Sequence, residues 1–323
     1  MTPGFPEYLS GSSSFTAIVL NPPFFFLQLA INAAMYLPGA LLVREAALRW
    51  NKGWPTVFVL GAAYAIMEEG IADQTILNPH MTPIGSAGFY GHFLGVNWLW
   101  LPDVLLIHIL FSIAIPITLL GYALPEYRGK SLLSNRGIGA TLVIISIDTA
   151  VLTVLVSVTT RYWYGVPLLL ACLLAILALS GLGYVLPKFL FTTRTSGPDR
   201  TPLAFFFVGF VIYPLMLVVD AVGASRGVLP GLVFLGVIAV PVVLFAWFVR
   251  HIGSQENARH FVAFAGGSLV VIMAIGVATE IYFPIVLVAD FATWYFFRWL
   301  YRTAGDRSSD FEHKNTATPS AAA

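Results

Sequence analysis

The residues best equipped for chemistry are two adjacent carboxylates, Glu68 and Glu69, a third acid one turn on, Asp73, and a histidine in the next apolar run, His108. A carboxylate beside an imidazole can take a proton from water and pass it on, the basis of general acid–base hydrolysis. The same donors can also hold a divalent metal, for which Glu69 and His108 are the ligand candidates. What makes these groups conspicuous is their setting. The run from Ala63 to Thr75 is otherwise apolar, and an ionised side chain at a bilayer centre costs about 2.5 to 3.5 kcal/mol on insertion scales. Charge there needs a partner and a purpose.

The elements that must position them are transmembrane helices. The 323-residue chain is 58% hydrophobic and 10% charged, far from the roughly 25% charged residues of a soluble domain. This composition predicts an all-α polytopic bundle whose main partner is the lipid bilayer, a multi-pass protein of the cell membrane. Because about 20 residues cross a bilayer, the apolar runs resolve into about nine spans, near 24–43, 54–77, 98–122, 138–159, 166–186, 203–222, 228–248, 261–279 and 281–300. Together they form a single domain over 1–302. Pro38 and Gly39 suggest a kink in the first span. Residues 1–20, with their Gly, Pro and Ser, read as an external lead-in to the stop at Asn21-Pro22-Pro23. The polar tail at 303–323 reads as a disordered cytoplasmic segment. The first apolar run lacks a preceding basic region and is followed by Arg44, Arg49 and Lys52, so it reads as an uncleaved anchor. The single cysteine, Cys172, excludes an intrachain disulfide.

Cation placement tests this topology independently. With the N-terminus outside and the C-terminus in the cytoplasm, 15 of the 17 Lys and Arg residues fall inside, and only Arg161 and Arg226 fall outside. No nucleic-acid footprint is present.

At 1.5 Å per residue, Glu68 and Glu69 rise roughly 20 Å from Trp54, and His108 descends roughly 15 Å from Trp98, so the depths overlap. Helices joined by one outer loop pack as neighbours, which would bring Glu68 or Glu69 to His108. Glu69 and Asp73 share a face, Glu68 points about 100° away, and His108 shares its face with Ser112. Further acids at several depths, Asp103, Asp148, Asp220, Glu280 and Asp290, could line a path for a substrate or ion together with Asp73. The plainer reading of Asp73, Asp103, Asp220 and Glu280 is contact with the outer water layer, and Asp148 or Asp290 could pair with a hydroxyl in a helix contact. His80 and His92 read as loop residues, His251 and His260 as solvated ones. No Lys or Arg lies in the middle of any span. Compensation must therefore come from protonation, a bound cation, or hydrogen bonds to histidine and hydroxyl groups.

Absent motifs narrow the chemistry. There is no His-Glu-x-x-His pair, no Gly-x-Ser-x-Gly elbow, no phosphate-cradling glycine loop and no dinucleotide fingerprint, so no nucleotide is expected as partner. Glu68-Glu69 on one span and His108 on the next resemble the CAAX-protease and bacteriocin-processing (CPBP, or Abi) family of intramembrane proteases. That family has a Glu-Glu-x-x-x-Arg helix, a Phe-x-x-x-His helix and a later His-x-x-x-Asn helix, which together activate water for peptide hydrolysis. Here Asp73 stands at the Arg position and Val104 at the Phe position, and no histidine falls in any expected span after His108. The resemblance covers about 60 residues and implies catalytic roles for Glu68, Glu69 and His108 alone.

Three functions follow from the sequence. The first is a membrane-embedded, peptidase-like hydrolase using Glu68, Glu69 and His108. The second is a proton- or cation-coupled transporter or channel using the intramembrane acids. The third is a non-catalytic scaffold or sensor whose polar groups hold helices together.

Overall fold

The computed structural model describes residues 5–10, 13, 17–80, 90–188, 200–252, 258–279 and 285–316. Short helices α1 (Phe5–Ser10) and α2 (Ala17–Leu20) precede α3 (Pro22–Arg49), which opens on Asn21, whose side chain accepts the Phe24 N–H at 3.3 Å, and on two prolines that need no donor partner. Helix α4 (Trp54–Ala65) starts at Trp54-Pro55 and widens into a π-helical segment, Ile66–Ala72. A two-residue hairpin, β1 (His92–Phe93) and β2 (Val96–Asn97), leads to α5 (Trp100–Ile107). A second π segment, His108–Ala114, and α6 (Ile115–Ala123) complete that span. Then come α7 (Asn135–Thr160), α8 (Gly165–Val185), α9 (Pro202–Ser225), α10 (Pro230–Ile252), α11 (Ala258–Thr279) and α12 (Ile285–Thr316).

Among the described residues, eight helices are long and apolar enough to cross a membrane, with α4 and α5 counted together with their π segments. The protein is a multi-pass helical bundle, and its many exposed Leu, Val, Ile and Phe side chains form the surface that lipid must cover. Helix α12 supplies the ninth long segment, interrupted by Asp290, Arg298 and Arg302; it runs on to Thr316, through much of the stretch expected to be disordered. Residues 280–284, which include Glu280, lie outside the described residues.

Close helix contacts are made where glycine removes the side chain. A Cβ on Gly209 (α9) would fall 2.1 Å from the Phe264 carbonyl oxygen of α11, and one on Gly267 (α11) 2.0 Å from the Phe206 oxygen of α9. The two helices thus cross backbone against backbone, twice. Gly61 lets α4 approach the second π segment, where its Cβ would meet the Ile109 Cα at 3.2 Å. The span made of α5 and α6 sits at the centre: Ile113 packs with the α3–α4 core, while Phe111, Ile115 and Leu119 pack with Leu269 and Ile272 of α11.

One expectation needs correction. The N-terminal stretch is not simply an external lead-in, because Tyr8 and Leu9 are buried, Leu9 within the α6–α11 core, and Ser13 accepts hydrogen bonds from Gln28 Nε2 at 3.0 Å and Asn32 Nδ2 at 2.8 Å. Gln28, Asn32 and Tyr36 recur every four residues on α3, so the polar stripe faces this segment instead of lipid. Pro38 lies inside α3, which continues on both sides of it.

Candidate functional site

The carboxylates and the histidine do meet. His108 Nε2 lies 2.8 Å from Glu69 Oε1, and His108 Nδ1 lies 3.0 Å from Glu68 Oε2 and 2.9 Å from Ser112 Oγ. An ordinary α-helix would set Glu68 and Glu69 about 100° apart and offer only one of them. Here the chain makes a π turn, closed by the Asp73 N–H on the Glu68 carbonyl at 2.7 Å, which changes the angle between successive side chains. His108 opens the second π segment. Such wide turns are frequent at functional sites. The ring is bracketed at both nitrogens by acids from one helix.

Burial differs among the three. The side chains of His108 and Glu68 are 1% and 2% exposed, whereas that of Glu69 is 14% exposed, making it the member nearest to open space. Glu69 Oε2 accepts a hydrogen bond from the Thr75 hydroxyl, and Thr75 Oγ1 in turn accepts from Trp100 Nε1 at 3.0 Å. Trp100 has only a donor to give, so Thr75 accepts from it and keeps its own O–H for the Glu69 carboxylate. Glu68 Oε2 has no well-aligned donor among the described residues. Glu68 Oε2 and His108 Nδ1 are 3.0 Å apart, close enough for a proton to pass between them.

Aromatic rings fix the imidazole. Tyr36 stacks on it, with centroids 6.3 Å apart and planes at 13°, and Tyr64 packs edge-on at 5.9 Å. The Tyr64 ring occupies the space left by Gly39, where a Cβ would lie 2.2 Å from Tyr64 Cε2. The Tyr36 hydroxyl donates to Glu7 Oε1 at 2.7 Å, so α1 brings another acid to the site. Outside the spans, burial and the charge of Glu7 push the Tyr8 hydroxyl up to about 12. Glu7, Tyr36, Tyr64 and Thr75 are site neighbours that hydropathy does not single out. The four-residue polar spacing on α3 is the signal that finds Tyr36.

The π segment is stopped and held by α7. Gln74 adopts φ 61°, fully buried, and donates through Nε2 to the Thr153 carbonyl at 3.1 Å and to Ser157 Oγ at 2.8 Å. Thr153 Oγ1 donates to the Ile71 carbonyl at 2.9 Å. A non-glycine residue in this region is strained, and the bonds to α7 hold it there.

The other expected acids separate into groups. Asp73 lies in the field of Glu69, Glu68 and His108, and Asp148, 7% exposed, in that of Glu68. Asp103 of α5 and Asp220 of α9 lie in each other's field, and Asp103 Oδ1 and Asp220 Oδ1 have no hydrogen-bond partner among the described residues. Asp103 is 1% exposed, so it is not the water-facing residue that its position suggests. Tyr213 lies in the fields of Asp103, Glu69 and Asp220. Asp290 is partly buried on α12.

Four other histidines lie away from this site. His92 Nε2 lies 3.1 Å from the Leu77 carbonyl, which also accepts the Tyr162 hydroxyl at 2.8 Å. Burial pushes that hydroxyl up, keeping it a donor. His80 donates its backbone N–H to Asn78 Oδ1 at 2.9 Å. His251 stacks on Trp247 with its Nδ1 2.7 Å from the Trp247 carbonyl. His260 is not a solvated loop residue: it is 6% exposed, contacts the Arg200 carbonyl at 2.8 Å and packs on Phe205. Both lie inside observed helices, at the last turn of α10 and the first of α11.

Among the described residues no group of three His, Cys, Asp or Glu side chains is arranged to hold an ion. No step below runs through a metal.

No protein-family model, curated protein or solved structure matches the chain.

Proposed function

We propose that this multi-pass membrane protein is an intramembrane hydrolase, peptidase-like in its chemistry, with Glu69 as general base and His108 as its proton partner. The observation that supports this is the buried imidazole gripped by Glu68 and Glu69 at both nitrogens, 3.0 and 2.8 Å away. The resemblance of the same residues to CPBP proteases points the same way.

In this reading a water beside Glu69, the least buried of the group, loses a proton to the Glu69 carboxylate while its oxygen attacks the scissile carbonyl carbon. The tetrahedral oxyanion then collapses, the carbon–nitrogen bond breaks, and the leaving nitrogen takes a proton from Glu69 or from His108 Nε2. A proton passed between His108 Nδ1 and Glu68 keeps the imidazole able to donate throughout. Thr75 and Trp100 fix Glu69, and Ser112 fixes the ring. General acid–base catalysis of this kind contributes about 10²- to 10⁴-fold. The decisive experiment is cleavage of a quenched-fluorescent peptide library by purified protein in nanodiscs. Turnover abolished in both Glu69→Gln and His108→Ala supports the reading; turnover that persists in either, or no turnover in the native protein, rejects it.

A second reading, a proton-coupled carrier, draws on the neighbouring acids Asp103 and Asp220 and on Tyr213, which lies in the fields of both and of Glu69. It predicts proton flux into proteoliposomes that Asp103→Asn abolishes.

A further inference from the structure

At the opposite end of the central span, away from His108, a cavity of about 210 Å³ opens between the end of α3, the start of α4, α6 and the loop that follows it. We propose that this cavity binds the phosphate-bearing headgroup of an anionic membrane lipid. It is independent of the reaction assigned to Glu69 and His108.

The first argument is charge. Arg44, Lys52 and Arg128 line the cavity and no acid does. The flanking segments 44–54 and 126–136 carry Arg44, Arg49, Lys52, Arg128, Lys130 and Arg136 against only Glu45 and Glu126. Glu45 is already committed. It accepts from Arg44 at 3.2 Å, Arg49 at 3.3 Å, Ser131 at 2.5 Å and the Leu132 N–H at 2.7 Å. The cations are thus in excess over the carboxylates that could neutralise them.

The second argument is how those cations are held. Arg44 is a fixed wall: its Nη2 donates to the Tyr127 and Lys130 carbonyls at 2.7 and 2.8 Å, which ties the loop to α3. Lys52 Nζ donates to the Leu186 carbonyl at 2.8 Å and sits 5.8 Å from the Tyr184 ring centroid, and an ammonium has three N–H groups in all. Arg128 lies over the Tyr122 ring at 5.7 Å. A neutral carbonyl and a ring face orient Lys52 without cancelling its charge, while Arg44 is also paired with Glu45.

The third argument is the rest of the lining, which is apolar: Leu48, Val57, Ile117 and Phe261. Trp54 and Tyr127 mark the headgroup level, where amphipathic rings concentrate. A free phosphate would gain nothing from the apolar walls, whereas a glycerophosphate carrying acyl chains uses both parts. Basic pockets between transmembrane helices take anionic headgroups for this reason. The cation excess also places this end on the side that the positive-inside rule assigns to the cytoplasm.

The test uses the full chain in nanodiscs of phosphatidylglycerol mixed with phosphatidylcholine, with retained lipid counted by native mass spectrometry after gentle detergent extraction. The native protein should retain phosphatidylglycerol in excess, and Lys52→Gln with Arg128→Gln should reduce that retention by about five-fold per charge removed. A second variant guards against a folding defect. A Cβ on Gly121 meets only Arg128 Cγ, at 3.9 Å, so Gly121→Leu grows into the cavity with every cation kept. It should also lose the lipid while keeping its thermal unfolding temperature. Unchanged retention in the double variant, or no phosphatidylglycerol excess in the native protein, overturns the proposal. So does displacement of the lipid by millimolar glycerol phosphate, which would make this a site for a soluble phosphate.

Discussion

His108 Nε2 and Glu69 Oε1 meet at 2.8 Å across two helices that both widen into π turns at the point of contact. Gly61 allows that meeting by removing the side chain that would hold α4 away from Ile109. The approach of the helices and the reach of the side chains are thus set by separate residues.

The two carboxylates should fail differently on neutralisation. Glu69→Gln keeps an acceptor for Thr75 but removes the base, so turnover should fall by about 10²- to 10⁴-fold with folding intact. Glu68→Gln removes one site for the proton passed to His108 Nδ1 and should shift the pH dependence of kcat instead of abolishing turnover. A pH–rate profile of each variant, beside the native protein, separates the two roles. Identical profiles in native and Glu68→Gln protein would remove Glu68 from the proton transfer.

Removing the imidazole should cost more than removing one acid. His108→Ala leaves Glu68 and Glu69 buried together without their common partner, and breaking such a buried pair costs about 3 to 5 kcal/mol. Glu68→Gln in the same chain should restore part of that loss by discharging one acid. Unfolding in detergent of both variants measures it, and additive losses would show that the acids do not lean on the histidine.

Gly39→Ala is a remote perturbation of the ring. Its new methyl would lie 2.2 Å from Tyr64 Cε2, so Tyr64 must move, and with it the edge contact on His108. Turnover should fall while Glu68, Glu69 and His108 are all present. Gly39→Ala combined with Tyr64→Leu should regain it, and failure to regain would place the damage in the α3 backbone.

Much of this was legible before any coordinates. Apolar run length fixes the helices, and the cost of burying charge singles out Glu68, Glu69 and His108, which the fold brings together. What stayed hidden follows from local geometry that hydropathy does not encode. A π turn leaves no mark in composition, so Glu68 and Glu69 looked like alternatives when both reach the ring. Tyr8 and Leu9 sit in a stretch whose Gly, Pro and Ser content imitates a solvent loop, yet they are buried. Asp103 looked exposed because depth along a helix was readable and the identity of the facing helix was not; Asp220 came from a span much later in the chain.

The paired glycine crossing of α9 and α11 has a mechanical implication. With Gly209 against the Phe264 carbonyl and Gly267 against the Phe206 carbonyl, a side chain at either glycine would have to push the two helices apart.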